Sequence, residues 1–127
     1  MKKIIWTLTL GLALLLPMFT ASSCSKPDNI AKVIVWQGQV NAASWSVVSV
    51  TSLTTYVNGE LMASQAAGIY FNSTPSCASN GGMKFDINLK KNTTAKINVI
   101  IKGDDGVEYY NEQLDVKSTE CNQLELQ

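Results

Sequence analysis

Downstream of residue 25 the chain alternates apolar and polar residues at period two rather than 3.6, the signature of strands with one buried face. Met83, Phe85, Ile87 and Leu89 alternate with Lys84, Asp86, Asn88 and Lys90. Ala95, Ile97, Val99 and Ile101 repeat the pattern against Lys96, Asn98 and Lys102, with Asn92-Thr93-Thr94 supplying turn chemistry between the two runs. This spacing predicts an antiparallel hairpin. Gly103-Asp104-Asp105-Gly106 then predicts a second tight turn before a strand over Val107 to Val116. Upstream, strands are predicted over Lys32 to Gln37 and Trp45 to Thr51, joined through Gly38 to Ala43. Leu53 to Val57 and Leu61 to Ser64 flank Asn58-Gly59, a strong hairpin signal. A helix over Gly59 to Ala67 is the competing expectation there. Residues 72 to 82 read as a loop, and a last short strand covers Leu124 to Leu126. Seven or eight short strands without a convincing helix predict an all-β fold, an antiparallel β-sandwich of immunoglobulin-like or prealbumin-like type.

The first residues follow another pattern. Lys2 and Lys3 precede an apolar run from Ile4 to Phe19, followed by Ala21-Ser22-Ser23-Cys24. The run is shorter than the roughly 20 residues that cross a bilayer as a helix. A cationic head, an apolar middle and small residues before a cysteine are the form of a lipoprotein export signal. Cys24 is then the expected lipidation site, with ordinary cleavage after Ala21 or Ser23 as the alternative. The expected organisation is a signal peptide over 1–23, a lipidated tether over 24–31 and a β-sandwich domain over 32–127. Acyl chains contribute about 0.8 kcal/mol per buried methylene, so two or three hold a domain durably. The expected location is the cell envelope, on the outer membrane at its periplasmic face or at the cell surface.

Composition narrows the chemistry. The chain has ten basic and ten acidic side chains, all the basic ones Lys, so losing Lys2 and Lys3 leaves a net charge of −2. Scattered Lys without Arg offers no surface for nucleic acid. The chain contains no His, which removes Ser-His-Asp and Cys-His catalysis. No Ser-x-x-Lys follows the leader. Asp104 and Asp105 are adjacent, an arrangement unlike two carboxylates facing across a cleft, and Asp86, Glu108, Glu112 and Asp115 read as solvated strand positions. The loop around Asp104 lacks the spaced oxygen ligands of a calcium loop. The sequence thus predicts no enzyme, no cofactor and no metal site. With Cys24 assigned to lipid, Cys77 and Cys121 remain as an even pair, and a disulfide between them is predicted for an oxidising compartment. Metal ligation by that pair is disfavoured by the lack of His and of Cys-x-x-Cys spacing.

Trp36 at the end of the first strand, Tyr56-Val57-Asn58-Gly59, Pro75-Ser76-Cys77, Asp105-Gly106 followed by Tyr109 or Tyr110, and Cys121 before a Leu-x-Leu ending resemble small prealbumin-like and PEGA-like β-sandwich domains of Bacteroidetes exported lipoproteins. The resemblance implies a β-sandwich and supplies no activity and no functional residues; the second cysteine expected after Cys77 is replaced by Asn80-Gly81-Gly82. The candidate binding surface rests on aromatic side chains, Tyr109, Tyr110 and Trp36, together with the Asn72 to Gly82 loop, since rings bury much area at little entropic cost. Adjacent strand residues face opposite sides, so one of Tyr109 and Tyr110 is expected to point outward. The expected function is a non-catalytic binding or structural module held to the membrane through Cys24 and contacting a protein or glycan. The alternative is a small inhibitor or immunity protein acting on an envelope-targeted hydrolase.

Overall fold

A computed structural model describes residues 26–127; the leader and Cys24 lie outside the described residues. Seven strands and one short helix follow in the order β1 (Asn29–Gln37), α1 (Gln39–Ser44), β2 (Ser52–Val57), β3 (Glu60–Ala66), β4 (Met83–Lys90), β5 (Thr94–Gly103), β6 (Glu108–Lys117) and β7 (Cys121–Leu126). They form two sheets, β4-β1-β7 and β3-β2-β5-β6, packed as the predicted sandwich. All neighbours are antiparallel except β1 and β7, which run parallel.

The alternation in β4 and β5 has the predicted inward faces. Met83, Phe85 and Leu89 meet Ile97, Val99 and Ile101 in one core with Val33, Val35, Leu53 and Leu126. The pairing differs from the expected hairpin, because β4 joins β1 and β5 joins β2 and β6. The turn at 91–93 crosses between the sheets. Two strands with apolar faces of equal strength can lie side by side or face each other across the core, and here they face each other.

Two further expectations are corrected. Trp45 to Thr51 is not a strand: α1 and a run of turns occupy 39–49, with Val47 84% and Val48 49% exposed. Only Trp45 and Val50 point into the core, a spacing that no extended strand of alternating faces produces. Over 59–67 the hairpin prevails against the helix, with Asn58 at φ 49° and Gly59 at φ 85°, the paired positive angles of a type I′ turn. Strand β1 also starts earlier than predicted, at Asn29, and β7 earlier, at Cys121.

The predicted disulfide joins Cys77 to Cys121 with Cα atoms 5.6 Å apart. It explains why β1 is a continuous apolar run. Val33 and Val35 face the main core, while Ile34 and Trp36, on the opposite face, are also buried. The 67–82 segment descends over that outer face: Phe71 N–H donates to the Gln37 carbonyl, Gln123 donates to the Pro75 carbonyl at 2.7 Å, and Cys77 is bonded to β7. It returns at Gly82, where a side chain would press within 3.1 Å of Ile34.

The strand directions give the sandwich two unlike ends. At one, short turns join the strands and the described chain enters at Lys26. The other, where β1 ends, gathers the 38–51 segment, both limbs of the 67–82 cover and the 104–107 turn.

Candidate functional site

The candidate site lies at the loop end, and the residue that organises it is Gln37. Its position continues the inward phase of Val33 and Val35, so the end of β1 delivers an amide to the interior. The side chain is fully buried. Its Nε2 donates to the carbonyls of Ala67 at 2.7 Å and Ile69 at 2.8 Å. Its Oε1 accepts from Asn41 Nδ2 at 2.8 Å and Trp45 Nε1 at 2.7 Å. One amide thus uses both hydrogens and two lone pairs to tie the cover segment, α1 and the Trp45 indole to β1.

Trp45 in turn packs edge-on against Tyr109, ring centroids 4.9 Å apart, and against Tyr110 at 6.5 Å. Both tyrosines are half-buried, so the exposure expected of one is shared by the pair, but they lie on the same side, against Trp45, rather than on opposite faces. The cause is a bulge: Ile101 pairs with Tyr110 and Lys102 with Glu108, leaving Tyr109 as the extra residue whose side chain swings round. Gly103 makes room, since a Cβ there would meet Tyr109 at 3.0 Å and Asp105 at 2.7 Å. The Tyr109 hydroxyl donates to Asp105 Oδ2 at 2.6 Å, and that bond, aided by desolvation, raises the phenol above its ordinary value. The Tyr110 hydroxyl is shared between the Asn41 side chain and the Gln127 carbonyl, and burial pushes its phenol upward as well.

The carboxylates of the 104–107 turn have structural partners. Asp104 accepts from the Thr51 hydroxyl at 2.5 Å and from its N–H at 3.0 Å, bonds that hold its carboxyl below the ordinary range. Asp105 also accepts from Val107 N–H at 3.0 Å. These bonds fix the turn against β2.

Two open grooves flank α1. The first, about 570 Å³, has Trp36, Phe71 and Leu126 along its floor, with Gln39, Val40, Asn41, Asn72 and Glu125 around it. The second, about 450 Å³, lies between Trp45, Tyr109 and Tyr110 on one side and Val47 and Val48 on the other. Both volumes fall in the range of ligand sites, and the grooves share Asn41, Ser44 and Gln127. The three aromatic candidates are thus brought to one end of the molecule, Trp36 in one groove and the tyrosines in the other. Trp36 itself is only 7% exposed, so it presents an edge rather than a face. Of the 72–82 loop, Asn72 alone reaches a groove; the remainder covers β1 and carries the disulfide.

Sequence reasoning missed Gln37 and Asn41 as the framework of this end and set Trp45 on a strand rather than beside α1. The available signal was Gln37, a polar residue in phase with buried positions. Among the described residues no group of three or more His, Cys, Asp or Glu side chains is placed to hold a metal ion, and no helix is long and apolar enough to cross a membrane. Compared with known proteins, the chain matches no family model, no curated protein and no solved structure.

Proposed function

We propose that this chain is a lipid-anchored, non-catalytic binding module of the cell envelope, held through Cys24 on the outer membrane with its grooves directed away from the bilayer. The observation that carries this reading is the polarity of the domain. The chain leading from Cys24 enters at the turn end, whereas both grooves lie where β1 finishes. Nine residues of extended chain put roughly 27 Å between those ends. A short tether therefore favours presentation of the grooves to whatever lies beyond the membrane surface.

Lys26, Lys90 and Lys91 lie together at the turn end, where Lys91 also pairs with Asp28 at 3.4 Å, and cations there suit anionic headgroups. Glu60 and Glu120 share that end and Lys102 stands at the other, so the orientation rests on the polarity of the fold rather than on charge. A non-catalytic role is supported by the chain's lack of His and by the structural bonds that occupy Asp104 and Asp105.

Metabolic palmitate labelling of wild type and Cys24→Ala, with protease treatment of intact cells, tests the proposal. Label present in wild type and absent in the variant is the expected outcome, and cleavage on intact cells assigns the outer leaflet. Wild-type protein that takes up no label overturns the anchor.

A further inference from the structure

We infer that the groove over Trp36 and Phe71 binds an uncharged carbohydrate chain. The inference rests on the binding-module reading and gives that module its ligand class. Its first support is what the lining offers. Half-buried Phe71 and exposed Val40 supply the apolar surface over the buried Trp36 and Leu126, and the exposed side chains of Gln39, Asn72 and Glu125 stand around it. Sugar rings present the same two chemistries, C–H faces that pack on apolar and aromatic surface and hydroxyls that exchange hydrogen bonds with amides and carboxylates.

The second support is charge. No Lys lines the groove, the chain has neither Arg nor His, and Glu125 stands at the rim. Phosphate, sulfate or carboxylate groups would meet one negative charge and no positive one. An anionic polysaccharide, a nucleotide or a fatty acid headgroup is disfavoured by that balance, whereas a neutral sugar is not.

The third support is the state of the backbone. A peptide that binds by adding a strand needs unpaired main-chain groups. The floor strand β1 is central, paired to β4 on one side and β7 on the other, and the carbonyl of Gln37 is taken by Phe71 N–H. At β1 the floor therefore presents side chains rather than an open edge; β7, which supplies Leu126, is the edge strand of its sheet, and the peptide titration below tests strand addition there.

The second groove is likewise free of Lys but has fewer free polar side chains at its rim. Its tyrosine hydroxyls are committed to Asp105 and to Asn41 and Gln127, and its far wall is Val47 and Val48. The proposal is therefore confined to the first groove, and the two can be told apart by where a ligand is felt.

The test is amide and indole NMR of the isotopically labelled full chain in a zwitterionic detergent. It is titrated to millimolar concentration with uncharged hexasaccharides of glucose, mannose, galactose and N-acetylglucosamine, and separately with polygalacturonate and a neutral Gly-Ser peptide. At least one hexasaccharide is expected to give saturable shifts at Gln39, Val40, Asn72, Glu125 and the Trp36 indole, leaving Val47 and Val48 unmoved. Gln39→Ala and Asn72→Ala, both exposed, should each weaken that binding about fivefold, and Leu61→Ser at the opposite end should leave it unchanged. Failure of all four hexasaccharides to shift these signals overturns the inference. So does stronger binding of polygalacturonate, or shifts produced by the peptide alone; the peptide result would still leave a binding module. Palmitate labelling reads the anchor independently of every one of these outcomes.

Discussion

The two ends of the sandwich are built by different means. At the turn end, local chemistry closes the hairpins: Asn58-Gly59 joins β2 to β3 through its own backbone angles, and Asn122 closes the β6–β7 turn, accepting from Lys117 N–H at 2.8 Å and donating to the Lys117 carbonyl at 3.0 Å, with exposed long-range bonds such as Asn29 to the Asn92 carbonyl added to them. At the loop end, segments far apart in sequence are held by one buried amide and a pair of rings on Trp45, while the cover that leaves this end is fastened by its disulfide to Cys121, the first residue of β7, toward the turn end. In the first kind of end the Asn58-Gly59 hairpin depends on its own two residues, and Asn122 reaches further, donating to the Lys32 carbonyl at 2.9 Å. The second is cooperative, because Gln37, Trp45 and the 67–82 cover fix one another. Binding surfaces suit the second kind, since long connections can carry varied side chains over a rigid frame.

Removing the disulfide should break the contrast most strongly. Cys77 and Cys121 are 44 residues apart, and closing such a loop restricts the unfolded chain by about 4 kcal/mol in the chain-entropy account. Cys77→Ser with Cys121→Ser is expected to lower denaturant stability by that order and to free the cover over Ile34 and Trp36. Hydrogen exchange should then rise across 69–82 while the Asn58-Gly59 hairpin keeps its protection. Equal loss of protection at both ends would show that the cover is not a separate layer.

Gln37→Leu comes next. It preserves volume but strands the carbonyls of Ala67 and Ile69 and the Trp45 indole N–H in a buried site. The net cost should be about 3 kcal/mol, since each orphaned group costs roughly 1–3 kcal/mol and some will find water. Chemical denaturation measures the loss. Near-ultraviolet circular dichroism should lose the Trp45 signal, because the indole loses its bond and its packing on the tyrosines. Retention of that signal would mean that the ring cluster stands without the amide.

How much of this was legible in the sequence follows the same division. The strands β4, β5 and β6, the Asn58-Gly59 turn and the Cys77–Cys121 bond were readable because each depends on local alternation, turn chemistry or parity of cysteines. The partner of a strand was not: period two says which face of β4 is buried, not that β4 lies across the core from β5. The β-branched run Val47-Val48 reads as strand, yet Trp45 anchors to Gln37 and leaves both valines in solvent. Likewise opposite faces for Tyr109 and Tyr110 follow from regular pleating, and the bulge opposite Lys102 brings both to one side. At the groove, aromatic residues were visible in advance, while Gln39, Asn72 and Glu125 became neighbours only through the parallel docking of β7 on β1 and the descent of the cover.

A smaller effect is expected from Gly59→Ala. Nothing lies within 4 Å of the added methyl, but φ is +85°, so the cost is backbone strain of roughly 1 kcal/mol. The midpoint of denaturation should move slightly, and the NMR signals of both grooves should stay in place. Movement at the grooves would show that the ends are coupled through β2, against the contrast drawn above.

The smallest effect concerns protons, and the alkaline side of it belongs to the loop end. Tyr109 donates to Asp105, so its phenol titrates above the ordinary value of 10.0. A raised value in the folded state means that this bond contributes fully below pH 10 and is lost as pH rises through the folded value. Asp104 behaves oppositely: its lowered carboxyl contributes above the ordinary value of 3.8 and is lost as pH falls through its folded value. Phenolate absorbance should therefore show a late-titrating tyrosine in wild type that moves toward 10.0 in Asp105→Asn, because the asparagine accepts more weakly and carries no charge to oppose ionisation. Acid titration should loosen Thr51 below pH 3.8, with the bonds of Asn122 unaffected because none of them titrates. Both titrations report on the 104–107 turn; at the other end Asp28 is held low by its bonds from Asn88 and Lys91, so acid loosens both ends while the alkaline loss of the Tyr109 bond belongs to the loop end. An unchanged phenolate curve in Asp105→Asn would mean that burial rather than the carboxylate governs Tyr109, as it does for Tyr110.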